Sequence, residues 1–173
     1  MIKRILAVLI VTVVVTGAAV AGPFEDATAA LKHGDYAKAL TLLRPLAEQG
    51  DNRAYVALGD TSLLTDDYAE AGKWYRLAAE RGDAVAQFNL GLMYATGATN
   101  VMSATNERNV PQDSVQAYLW LTLAAAQGNA SGLSEEQRKL AVKNRDLVAK
   151  LMTPDQLAEA QRLAREWKPK AQH

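Results

Sequence analysis

Asp66 and Asp67 stand side by side, and adjacent carboxylates are one arrangement from which an acid and base pair can be built. They also stand immediately before an amphipathic stretch that opens at Tyr68. A helix start favours acidic side chains, which accept hydrogen bonds from free N–H groups and oppose the helix dipole. Capping is therefore the stronger reading. The chain has two histidines, His33 beside a turn and His173 at the terminus, and no cysteine. A metal site requires clustered ligands at defined spacing, so no metal ligand set and no cofactor is expected. No nucleophile elbow, activated cysteine or glycine-rich phosphate loop after a strand is present, so no catalytic residue is assigned. Trp74, Trp120 and Trp167 could form a sugar-stacking platform, but each lies beside apolar residues at helical spacing and reads as core. Asn129-Ala130-Ser131 fits a glycosylation acceptor and reads as a chance match.

The elements that would position any site are dictated by an internal repeat. The stretch from Asp66 to Gly82 lays Tyr68, Ala71, Tyr75, Ala78, Ala79 and Gly82 on Tyr36, Ala39, Leu43, Leu46, Ala47 and Gly50. It equally lays Asp67, Ala71, Trp74, Tyr75, Ala78, Ala79 and Gly82 on Asp113, Ala117, Trp120, Leu121, Ala124, Ala125 and Gly128. Self-similarity at roughly 30–45 residues marks units that bury their apolar faces by stacking on one another.

The apolar period is helical throughout and no strand is expected. Helices are predicted over Pro23 to His33, Tyr36 to Gln49, Asn52 to Leu64, Tyr68 to Arg81, Ala84 to Tyr94 and Ser114 to Gln127. Glycines follow several of them, and Gly82 and Gly128 are expected to end helices in the left-handed conformation. Gly59 and Gly91 recur inside helices, where each costs about 1 kcal/mol relative to alanine, so they are expected to admit a close neighbour. Ser134 to Gln137 and Thr153 to Gln156 have capping-box spacing. They open one helix carrying Leu140, Leu147, Val148 and Leu151 and another carrying Leu157, Ala160, Leu163, Ala164 and Trp167.

This divides the chain into a leader over 1–21, repeats over 22–128 and a helical cap over 129–173. The repeats comprise a partial unit at 22–51 and full units at 52–83 and 84–128, with an inserted loop at 97–112. The leader has Lys3 and Arg4, an apolar run, and Ala19-Val20-Ala21 ahead of Gly22, the pattern of a secretory signal cleaved after Ala21. The expected location is periplasmic or secreted. Without Lys3 and Arg4 the net charge is about −2, which gives nothing to steer nucleic acid. An exported chain without cysteine must rely on helix packing for stability.

Two phrases carry a resemblance. Ala54-Tyr55-Val56-Ala57-Leu58-Gly59 with Lys73-Trp74-Tyr75-Arg76-Leu77-Ala78-Ala79-Glu80-Arg81-Gly82-Asp83 resembles the Sel-one-like repeat, a relative of the tetratricopeptide repeat. The next unit, Ala86 to Tyr94 with Ala117 to Leu121 and Ala124 to Gly128, is closer still, and Lys143 to Trp167 is similar to the end segment of secreted bacterial members. The resemblance implies an all-α, right-handed α-solenoid of antiparallel helix pairs, closed by a C-terminal capping helix pair. It also implies an adaptor that holds a protein or peptide segment, not an enzyme. The chain departs from the family in its stretched inter-helix link and in lacking the cysteine pairs of one secreted branch.

In such solenoids the first helix of each pair lines the concave face. The repeat register places Arg53, Val56, Ala57 and Asp60 there from one helix and Val85, Phe88, Asn89 and Leu92 from the next. A peptide groove is expected from this set, with Phe88 and Leu92 as apolar anchors and Arg53, Asp60 and Asn89 fixing orientation. An equal alternative fills that groove with the chain's own terminal helix. Two further readings are a structural subunit of an envelope complex and, more remotely, a hydrolase of envelope peptides or antibiotics. No membrane span is expected after signal cleavage.

Overall fold

The computed structural model describes residues 22–97, 113–128 and 131–171; the leader and all but Gly97 of the inserted loop lie outside them. The described residues form eight α-helices and no strand: α1 (Pro23–Lys32), α2 (Tyr36–Glu48), α3 (Asn52–Leu64), α4 (Tyr68–Glu80), α5 (Ala84–Thr96), α6 (Ser114–Ala126), α7 (Glu135–Leu151) and α8 (Pro154–Glu166). From α1 to α7 each helix packs on the next, which is the antiparallel stack that the repeat demands.

Aspartate starts five of these helices. The carboxylates of Asp35, Asp51, Asp67, Asp83 and Asp113 accept from the N–H groups of Lys38, Arg53, Glu70, Ala86 and Gln116. Asp67 is thus a cap. Asp83 also accepts from the Asn52 amide at 3.1 Å, tying the start of α5 to the start of α3. Ser134 and Thr153 form the two expected capping boxes with Gln137 and Gln156. Helix α2 runs unbroken through Pro45.

The core is alanine-rich, with Leu43, Leu58, Tyr75, Leu90 and Leu121 fully buried between helices. The internal glycines set how close the helices come. A Cβ on Gly59 would lie 2.6 Å from Tyr75 Cε1, and one on Gly91 would lie 2.8 Å from Leu121 Cγ. Both close approaches join the two helices of one repeat, as the sequence anticipates.

One helix end differs from expectation. Gly82 is left-handed at φ 93°, but Gly128 is not among the positive-φ glycines, and α6 ends on an extended Gln127 at ψ 143°. Gly82→Val should therefore cost about 1–2 kcal/mol, because a β-branched residue is forced into the left-handed region. Gly128→Val, with no neighbour within 4 Å, should stay within about 0.5 kcal/mol of the parent in a urea melt.

The C-terminal end also departs from a simple capping pair. Helix α8 lies on α6, and α7 packs on α6 and α5 without substantial packing on α8. Counted from the N-caps Asp51, Asp83 and Ser134, the register of Gly59 and Gly91 falls on Val142 in α7. A valine there holds off the close second helix that each glycine admits, which gives a steric reason for the stack to stop. Of the α7 face expected to pack, Val148 is buried, whereas Leu140, Leu147 and Leu151 are 46%, 47% and 79% exposed.

Candidate functional site

The expected set lies on α3 and α5, the first helices of neighbouring repeats, and its members differ in how far they reach solvent. Arg53 is exposed on α3; its guanidinium is held by Asp51 at 2.8 Å and lies 4.5 Å from the centre of the Phe24 ring on α1. That pairing holds the Asp51 carboxyl below its usual range. Val56, Ala57, Val85, Asn89 and Leu92 are half-buried, resting on the core with part of each side chain in solvent.

Phe88 is different. It is 6% exposed and belongs to the core cluster, so the surface anchor expected there is not available to a partner. The physical reason is crowding: α3 packs on α2 and α4, whereas α5 packs on α4, α6 and also α7.

Asp60 and Asn89 converge on a residue that the sequence assigned only to packing. The Tyr75 ring is fully buried and its hydroxyl donates to Asp60 Oδ1 at 2.5 Å. The Asn89 side chain sits beside the same hydroxyl, where it opposes the rise in the Tyr75 pKa. Burial pushes the Tyr75 phenol above its ordinary range, with the Asp60 charge acting in the same direction. Gly59 makes this possible, because the ring lies where its side chain would be. A tyrosine facing a Gly-Asp pair at the same register was the available signal.

Although Asp60 as a residue is exposed, its carboxyl is partly withdrawn from water. Desolvation pushes its pKa up, Tyr75 donation pulls it down and the Asp83 charge adds a smaller upward push. The folded state therefore holds the Asp60 proton more tightly than the unfolded chain does. Its contribution to stability is present below the usual carboxylate range and fades as pH rises through the raised value. Asp60→Asn should remove this dependence. Relative to the parent it should gain up to about 0.5 kcal/mol near pH 7 and nothing near pH 3, a small effect because the site is partly screened by water. Urea melts at the two pH values check the difference.

The alternative occupant of this side, the terminal helix, is placed elsewhere: α8 packs on α6, and the segment after it returns to α4, where the Lys170 N–H donates to the Glu80 carbonyl at 2.7 Å. The tryptophans are packing residues. Trp120 is buried and meets Trp167 edge-on at 6.4 Å, and Trp74 stacks on Tyr55 at 5.9 Å. Among the described residues no group of three or more histidine, cysteine or acidic side chains could hold a metal, and no helix is long and apolar enough to cross a membrane.

The geometry has counterparts among known proteins. A protective antigen present in uropathogenic Escherichia coli strains, whose crystal structure displays an SLR fold, is similar over 84% of this chain, with 26% identity and a TM-score of 0.63. The chain spans 29% of that protein's length. No curated protein matches it. The Sel1 repeat matches residues 28–51, 54–83 and 84–129, covering the three helix pairs α1–α2, α3–α4 and α5–α6. With three matched units across more than half its length and a helical stack to go with them, the chain belongs to the Sel1 repeat family.

Proposed function

We propose that this protein is a non-enzymatic adaptor, exported by its leader to the periplasm or beyond, that holds a segment of another protein against the outer face of α3 and α5. The observation that carries the reading is the Asp60–Tyr75–Asn89 cluster set among half-buried Val56, Val85 and Leu92. A buried hydroxyl fixes the orientation of the Asp60 carboxylate beside Asn89, and the two offer an acceptor and an amide to a backbone while the apolar neighbours bury its side chains. Terminal helix α8 rests on α6 and leaves this use of the face open.

Crosslinking in the source cell followed by affinity purification tests it, with Asp60→Asn and Asn89→Ala as matched variants. Asp60→Asn keeps shape and stability while changing the acceptor, so it separates binding from folding. One envelope protein recovered with the parent and depleted at least about fivefold, or about 1 kcal/mol, with either variant supports the site. Equal recovery with parent and both variants overturns it. Phe88 is unsuitable as a control because a charge at that core position unfolds the protein.

A further inference from the structure

Helix α7 presents a further surface, formed by residues other than those of the α3–α5 face. Helix α7 is 17 residues long and packs on α5 and α6 through one side. Its outward side is lined by two adjoining clefts of about 330 and 460 Å³ that share Lys139 and Val142. The first reaches from Glu135 and Arg138 past Ala125, and the second runs on through Asp146 and Leu147 to Lys150. At 1.5 Å per residue the two together extend for about 22 Å, the length of a short helix. At the register of Val142, α3 and α5 receive the second helix of the repeat, and among the described residues no second helix packs there on α7.

We propose that this face docks an acidic amphipathic helix of another protein. Apolar surface is available in Val142 and Leu147, which are 38% and 47% exposed. The charges around it are mostly positive. Lys139 reaches Glu135 at 3.7 Å, whereas Lys143 and Lys150 have no acidic partner among the described residues. The one acid on the second cleft, Asp146, is held by Arg145 at 2.6 Å. A partner helix with glutamate or aspartate flanking a leucine stripe would complete these lysines. It must carry a small residue opposite Val142, since valine occupies the place where glycine elsewhere admits a large side chain. Two copies joined through α7 would set lysine against lysine, and a flat anionic lipid surface would leave the clefts unfilled. Charge and shape together select the helix.

The test uses the mature chain and a fluorescent synthetic peptide of about 18 residues, enough to span the clefts as a helix. The peptide has a leucine stripe, an alanine at its centre and glutamate flanks; a counterpart carries lysine for glutamate. The expected result is saturable binding of the acidic peptide, at least tenfold weaker binding of the lysine peptide, and a loss of about tenfold with the double variant Lys143→Glu/Lys150→Glu. Asp60→Asn should leave this binding unchanged, so failure here is distinct from failure of the α3–α5 face. Equal binding of the two peptides, no effect of the lysine reversal, or no peptide binding would overturn the proposal. So would binding to phosphatidylglycerol vesicles or dimerisation of the chain in place of peptide binding.

Discussion

Gly59→Ala should destabilise the protein by about 2 kcal/mol, although alanine is the better helix former. In an open helix the substitution would stabilise by about 1 kcal/mol. Here the added methyl would lie 2.6, 2.7 and 2.9 Å from three atoms of the Tyr75 ring, inside van der Waals contact. The ring is 0% exposed and its hydroxyl is tied to Asp60, so it has neither solvent to move into nor freedom to swing. Overpacking of this kind costs about 1–3 kcal/mol, at the upper end where the obstacle is a rigid ring, and it exceeds the gain in propensity. A loss of about 2 kcal/mol lowers the melting temperature by roughly 4–8 °C for a chain of this size. A thermal melt reads it directly. The cause is isolated by Tyr75→Leu: in that background the cost of Gly59→Ala should shrink by at least about 1 kcal/mol, and a strictly additive double variant would place the strain elsewhere.

The helices were legible in the sequence because their punctuation is local. Asp51, Asp67 and Asp83 cap the helices they precede, and Gly34, Gly50 and Gly82 turn left-handed behind theirs, both governed by nearby backbone groups. Gly59 and Gly91 were legible for a related reason: an unfavourable residue that recurs at one register implies a neighbour that needs the room.

Periodicity says which residues share a face, but not whether another element covers it. Leu140, Leu147 and Leu151 line up on α7 as well as any core stripe does, yet among the described residues no helix fills that side. Phe88 fails in the opposite direction. It shares its register with exposed-side Val56, but α5 has more neighbours than α3 and closes over it. Gly128 follows an alanine-rich helix as Gly82 does, and the chain nevertheless leaves α6 extended at Gln127, a choice made by the path to α7 and not by the glycine. The Asp60–Tyr75–Asn89 cluster draws on three helices: the repeat register suggests Asp60 and Asn89, whereas Tyr75, on the intervening helix, reads from sequence as an ordinary core residue.

The Tyr75 side chain should therefore carry two separable contributions, one from its ring and one from its hydroxyl. Tyr75→Ala removes a fully buried ring from between α3 and α4, with an expected cost of about 4 kcal/mol from lost burial and the cavity left behind. Tyr75→Phe keeps the ring and deletes only the hydroxyl that donates to Asp60 and sits beside Asn89. Asp60 is an exposed residue and Asn89 is half-buried, so water can replace the lost partner on at least one side, and the cost should be about 1 kcal/mol. Urea unfolding of the two variants measures both numbers. A phenylalanine variant as unstable as the alanine one would mean that the cluster holds the repeat together. The expected gap of about 3 kcal/mol instead assigns stability to the ring and leaves the hydroxyl to orient Asp60. On that assignment Tyr75→Phe should remain folded yet lose partner recovery as Asn89→Ala does, because the first frees the Asp60 carboxylate to rotate away from a bound segment and the second removes the amide that segment would meet.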